Sequence, residues 1–162
     1  VAFLLRRSGS LKNTYKDISE YLLNHKITNP TLHDIRRIII TIRESKLPNM
    51  EEIGTVGSFF KNPIISKSQL ISIKEQYPEI PYYSEGKNKF KIPLAWVIEN
   101  ICKLKGVRSG AVGNHKNQPL VLVHYGGGSA NDIIKFAEKI KKDVKEKINV
   151  EIIPEVLFVG DF

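Results

Sequence analysis

The stretch from Leu120 to Ile148 constrains the fold more than any other part of this chain. Leu120-Val121-Leu122-Val123-His124 is a short apolar run of strand type, and Gly126-Gly127-Gly128 interrupts it. Ile133, Phe136, Ala137, Ile140, Val144 and Ile148 then recur every three or four residues. That spacing places all six on one face of a long helix, and Ser129 with Asp132 three positions later is a capping pair that starts it. A strand followed by an amphipathic helix predicts helices packed on a sheet around one shared core.

The punctuation elsewhere continues this alternation. Val1-Ala2-Phe3-Leu4-Leu5 reads as the middle or end of a buried strand, in a chain expected to begin inside a larger protein, and Ser8-Gly9-Ser10 turns it. Asp17 is placed to cap a short helix over residues 18–24. Thr31 and Asp34 form a capping-box pair after Pro30, with Leu32, Ile35, Ile38, Ile39 and Ile42 as the apolar face of a second helix that ends by Leu47-Pro48. A domain boundary is expected near residues 47–53, followed by a glycine-punctuated loop, Gly54-Thr55-Val56-Gly57. Ser66 caps a third helix with Leu70, Ile71 and Ile73 apolar, stopping before Pro78. Residues 80–84 are extended and residues 87–92 alternate as a strand. Pro93 opens a helix through Leu94, Trp96, Val97, Ile98 and Ile101 that Gly106 closes. Residues 107–112 and 120–124 are strand candidates, and residues 150–153 and 156–159 read as terminal strands around Pro154-Glu155.

A chain of 162 residues can bury one sizeable core. Its apolar runs fall far below the roughly 18 residues that span a bilayer, so a soluble domain without a membrane partner is expected. Cys102 is the only cysteine. That forbids an internal disulfide and a cysteine-based metal site, and it fits a reducing, cytoplasmic location. The formal charge is +8, which raises a nucleic-acid or nucleotide-binding module without catalysis as one reading. The excess is thin, however, at +4 over residues 1–62, +5 over 63–128 and −1 over 129–162, and no basic run exceeds a pair such as Arg6-Arg7, Arg36-Arg37 or Lys141-Lys142. A phosphate-backbone footprint needs a more concentrated stripe, and small phosphorylated ligands are the competing reading.

Three features carry candidate chemistry. The glycines at 126–128 precede a helix N-terminus, where free amides attract anions, but they lack both dinucleotide and P-loop spacing. A turn into a capped helix is the simpler reading. His25, His33, His115 and His124 have no ligand spacing, so no metal is expected and surface or turn positions are the default. The third is Gly57-Ser58-Phe59-Phe60-Lys61-Asn62-Pro63. Gly57 permits a tight turn or close approach, Ser58 supplies a hydroxyl, two aromatics can wall it off from water, and Lys61 and Asn62 bring a cation and an amide. Its plainer reading is a turn before a helix with two core phenylalanines.

In order and spacing, Lys46-Leu47-Pro48, Gly57-Ser58-Phe59-Phe60-Lys61-Asn62-Pro63, Leu104-Lys105-Gly106, His115-Lys116-Asn117-Gln118 and Pro154-Glu155-Val156 resemble the UDP-N-acetylenolpyruvoylglucosamine reductase (MurB) family, in a type I-like form and over its C-terminal portion. The resemblance implies an α+β fold, a mixed sheet with packed helices. It also implies a flavin-region tail over residues 1–46, a substrate-binding domain over 47–154, and a last strand over 155–162 returning toward a flavin domain that lies mainly upstream. It implies FAD as cofactor, NADPH as reductant and UDP-N-acetylglucosamine enolpyruvate as substrate, in peptidoglycan precursor synthesis, with the present chain incomplete and inactive alone.

By the same resemblance Ser58 donates the proton that completes carbon–carbon reduction, and Glu155 stabilises the enolate. To donate a hydrogen bond to an anionic substrate that carboxyl must be protonated, which burial or nearby negative charge would favour. Tyr15, Lys46, Asn62, Lys105 and Gln118 are implied around the UDP portion, two ammonium groups and a phenol for the pyrophosphate and two amides for phosphate or sugar oxygens. A decayed homologue used only for interaction is the remaining alternative.

Overall fold

The computed structural model describes residues 1–4, 9, 11 and 15–160. Leu5, Arg6-Arg7, and Ser8 and Ser10 of the expected turn lie outside the described residues. Two units are distinguished, Val1–Lys46 and Leu47–Phe162.

In the second unit, helix α5 (Ala130–Ile148) forms where its sequence asks for it. Ser129 donates through its N–H and its hydroxyl to Asp132 Oδ2, at 2.8 and 2.9 Å. Those two donors, the N–H first, hold the Asp132 carboxyl below the ordinary carboxylate range. The contribution of this pair is therefore present at neutral pH and is lost as pH falls through the lowered value. Ile133, Phe136, Ala137, Ile140, Val144 and Ile148 are the buried stripe, as their spacing requires. Asn149 ends the helix in the left-handed region.

That stripe covers a four-stranded sheet of order β1-β7-β6-β5, made of Gly54–Ser58, Gln118–His124, Val112–His115 and Arg108–Ser109. A three-stranded sheet, β2-β4-β3, pairs Ile64–Ser66, Lys89–Lys91 and Tyr83–Ser84. The fold is α+β. Among the described residues every strand pairing is antiparallel, in two sheets, where a mixed sheet was expected. Hairpins join β3 to β4, β5 to β6 and β6 to β7, and turns this short cannot return a strand parallel to its neighbour. Helix α3 (Lys67–Gln76) is capped by Ser66, whose Oγ accepts from Gln69 N–H at 3.2 Å while Gln69 Oε1 takes Ser66 N–H at 3.0 Å. Leu70 and Ile73 are buried, and Ile71 faces solvent.

Several expectations change. The glycine-rich stretch at 54–57 is a strand, β1, and not a loop, because its ladder to β7 outweighs its poor strand propensity. Val56 is the extra residue of a bulge, made possible by Gly57 at φ +71°. Residues 107–112 do not form one strand: the chain turns at Gly110 between β5 and β6. The helix after Pro93 is only α4 (Leu94–Trp96), running into a π-helical turn at Val97–Ile101, and it stops at Cys102 instead of Gly106. Cys102 N–H bonds Val97 O at 2.9 Å, and Lys103 is already left-handed. No strand forms over residues 150–153 or 156–159, where only an isolated bridge joins Phe60 to Pro154. Apart from the bonds around that bridge, this strand-prone stretch has no described strand running along its length, and it stays irregular.

Burial pushes the Cys102 thiol up to about 11, with Lys147 opposing and Asp143 adding to the shift. Thiolate, not thiol, reacts. At pH 8 a thiolate-selective reagent should therefore label the folded chain about a hundredfold more slowly than the same chain in denaturant. Equal rates in the two states would contradict the burial.

In the first unit, α1 (Lys16–Asn24) and α2 (Leu32–Lys46) pack through Ile18, Leu22 and Ile38. Thr31 N–H and Oγ1 donate to Asp34 Oδ2 at 2.9 and 2.6 Å, so the expected cap forms. Of the expected apolar face, Leu32 and Ile39 remain exposed. Tyr15, not Asp17, occupies the N-cap of α1. Asp17 falls in the first turn, where it takes Lys46 Nζ at 2.6 Å. Val1–Leu4 has no regular structure and is exposed, because none of the described strands pairs with it.

Candidate functional site

Ser58 is the last residue of β1, opposite Val121 of β7. The chain then runs between two neighbours. Phe59 N–H donates to Leu120 O at 3.0 Å on one side. On the other, Glu155 N–H donates to Phe59 O at 2.8 Å and Lys61 N–H to Ile153 O at 3.1 Å, around the Phe60–Pro154 bridge. Residues far apart in sequence, Ser58 and Glu155, are thus tied to one short segment of backbone.

Asn62 continues that segment. Its Oδ1 accepts Leu94 N–H at 2.8 Å, serving an orphan donor at the start of α4 and leaving its amide hydrogens to other acceptors. Gln118 begins β7, two residues before Leu120, and its Oε1 is buried without a hydrogen-bond partner among the described residues. The Lys105-Gly106 turn lies against the β6–β7 turn: a Cβ on Gly106 would be 3.5 Å from Lys116 Cα. Lys105 Nζ pairs with Glu99 Oε1 at 2.6 Å on the surface. Ser58, Glu155, Asn62, Gln118 and Lys105 therefore sit on elements that adjoin one another. Tyr15 and Lys46 belong to the other unit, where the Asp17–Lys46 bond brings the start of α1 to the end of α2.

Two side-chain environments differ from expectation. Phe59 and Phe60 are core residues, packed edge to face at 4.9 Å between ring centroids, so they do not wall the Ser58 hydroxyl. Apolar rings recover more by full burial in the second unit's core than by standing beside an exposed serine. Ser58 and Glu155 are both exposed. Burial, one of the two ways of keeping the Glu155 carboxyl protonated, is not supplied by the described residues of this chain. His115 is another correction, buried in β6 where a surface or turn position was expected, because all four β6 residues are enclosed. Among the described residues no group of three His, Cys, Asp or Glu side chains is arranged to hold a metal.

The glycines at 126–128 are not arranged to cradle a phosphate. Gly126 and Gly128 N–H groups point at the His124 ring, 3.1 Å from Nδ1 and Nε2. Gly128 is required by proximity, since a Cβ there would lie 2.7 Å from Ala111 Cβ. Beside β1 lies an apolar groove of about 160 Å³, lined by residues that include Val56, Phe59, Ile133, Val156 and Phe158. Ligand sites run to about 300–1,000 Å³. This groove offers no charged side chain and is too small for FAD or NADPH, so it does not by itself fit either dinucleotide.

Sequence reasoning overlooked Asn114. It is fully buried in β6, with Nδ2 donating to Pro119 O at 2.5 Å and Oδ1 unpartnered among the described residues. An amide inside an otherwise enclosed strand was the available signal.

Residues 48–159 match the C-terminal domain of UDP-N-acetylenolpyruvoylglucosamine reductase. Over 153 residues the chain is 40% identical to the UDP-N-acetylenolpyruvoylglucosamine reductase of Flavobacterium johnsoniae, covering 94% of this chain and 45% of that protein. It is 41% identical to the protein of the same name from Porphyromonas gingivalis strain W83, with 98% and 46% covered. For Chromobacterium violaceum the identity is 38%, again with 98% and 46% covered. The chain thus spans a little under half the length of these curated relatives. With the family's domain matched over most of its length and such identity in three bacteria, the chain belongs to the UDP-N-acetylenolpyruvoylglucosamine reductase family.

Proposed function

We propose that this chain is the substrate-handling part of an NADPH- and FAD-dependent reductase. That enzyme converts UDP-N-acetylglucosamine enolpyruvate to UDP-N-acetylmuramate for peptidoglycan synthesis in the cytoplasm. Residues 1–46 are the tail of the flavin region, residues 47–154 hold substrate, and residues 155–162 lead back toward the flavin region. FAD and NADPH are held mainly by a region outside this chain, and no step of their chemistry runs through the residues described.

What supports the reading best is the double attachment of Phe59, to Leu120 and to Glu155, which fixes Ser58 and Glu155 on one backbone segment. Reduction of the enolpyruvyl double bond adds a hydride to one carbon and a proton to the other. Ser58 gives its hydroxyl proton to the carbon bearing the carboxylate and regains one from solvent. Its weak acidity suffices only against a strongly basic enolate in a closed site, so the exposed Ser58 requires cover from outside this unit. Glu155 donates a hydrogen bond to the developing enolate. Lys105, with Lys46 and Tyr15, meets the pyrophosphate, each lysine exchanging or sharing the carboxylate it now holds. Asn62 and Gln118 supply amides to phosphate or sugar oxygens.

The full-length protein, purified yellow with flavin, should oxidise NADPH steadily only when the enolpyruvyl nucleotide is added. A flavin-loaded protein that ignores that nucleotide overturns the proposal.

A further inference from the structure

We infer that Asn114 is a positioning residue for Gln118, holding open a bulge in β7 that sets the spacing between Gln118 and Ser58. The inference rests on the functional reading above and adds a residue to it. Along β6, Asn114 faces Leu122, and the next residue, His115, faces Gln118 instead of Val121. One step on β6 is thus matched by four on β7. Pro119, Leu120 and Val121 bow away from β6, and their outer side serves β1, where Ser58 opposes Val121 and Phe59 N–H bonds Leu120 O.

A bulge of this size leaves carbonyls without ladder donors, and Pro119 has no N–H to offer in exchange. Asn114 closes the gap: its Nδ2 reaches Pro119 O at 2.5 Å from a side chain with no exposed surface. An apolar residue would fill the same space without stranding Oδ1, yet it would leave the Pro119 carbonyl unpaired. The amide therefore fixes the residue immediately after Gln118. Gln118, whose Oε1 is itself buried and unpartnered among the described residues, is thereby held in place for the nucleotide oxygens that its amide meets.

The test uses steady-state kinetics of the full-length reductase. Asn114→Leu is expected to raise KM for the enolpyruvyl substrate about five- to tenfold, the loss of one hydrogen bond's worth of binding, with kcat nearly unchanged. Asn114→Asp keeps the side-chain volume but can donate to Pro119 O only when protonated, so its KM penalty relative to the parent should shrink as pH is lowered from about 8 to 6. In a Gln118→Ala background neither change should raise KM further. Additive penalties, or a penalty from Asn114→Asp that is independent of pH, overturn the inference, since a merely structural role gives those results. An unaltered KM in Gln118→Ala alone also overturns it, while leaving the reductase reading standing. A parent protein that fails to turn over the nucleotide sinks both.

Discussion

Ser58→Ala in the full-length reductase is expected to slow reduction of the enolpyruvyl substrate by about a hundredfold to ten-thousandfold, the usual contribution of a positioned general acid. Transfer from NADPH to the flavin should keep its rate, because no proton from Ser58 enters that half-reaction. KM should change little, since the hydroxyl acts on a charge that develops only in the transition state. The fold gives a reason to trust the comparison. Ser58 is exposed at the end of β1, and its backbone is held by Val121 and by the Gly57 bulge, neither of which uses the side chain. Stability should stay within about 0.5 kcal/mol of the parent. Rapid-mixing measurements of flavin reduction and reoxidation separate the two halves. Loss of both halves in a folded variant, or of neither, would remove Ser58 from the role.

Phe60→Ala should be the most damaging change to the fold, costing about 3–5 kcal/mol. The ring is 1% exposed and meets Phe59 edge to face. Its backbone forms the bridge to Pro154. Truncation would leave a cavity where the segment carrying Ser58 meets the segment carrying Glu155, and a domain with total stability of about 5–15 kcal/mol has little to spare. Urea denaturation followed by circular dichroism would measure the loss. A cost below about 1 kcal/mol would mean that the site collapses around the missing ring, contrary to its enclosed position.

The parts of the fold read correctly from sequence are those governed by neighbours in the chain. Ser129 with Asp132 and Thr31 with Asp34 are caps whose partners lie three residues apart, and both form as expected; Ser66 caps α3 as expected too, and its partner is Gln69. The stripe of α5 follows from a period repeated over five turns. What failed depends on distant partners. Gly54-Thr55-Val56-Gly57 has little strand preference and becomes a strand because β7 lies beside it, whereas Val156-Leu157-Phe158-Val159 has strong preference and remains irregular without such a neighbour. The asparagine in β6 could be noticed as an amide among enclosed residues, but its role appears only when the jump in register with β7 is seen. Of the candidate site residues, Ser58 and Asn62 stood out in the 57–63 segment, and the others were legible only through resemblance. Nothing in the local pattern announces that Glu155 meets Phe59.

That meeting also has a consequence for the order of events during synthesis. A ribosome releases residues at roughly 5–20 per second from the N-terminus onward. Glu155 emerges 97 residues after Ser58, so β1 waits several seconds for the strip that flanks Phe59 on its second side. Contacts spanning so much chain form late. Until they form, the Phe59–Lys61 strip presents an unpaired edge, the kind of surface on which nascent chains associate wrongly. This chain thus keeps its candidate proton donor on a segment completed only by residues that emerge 97 positions later.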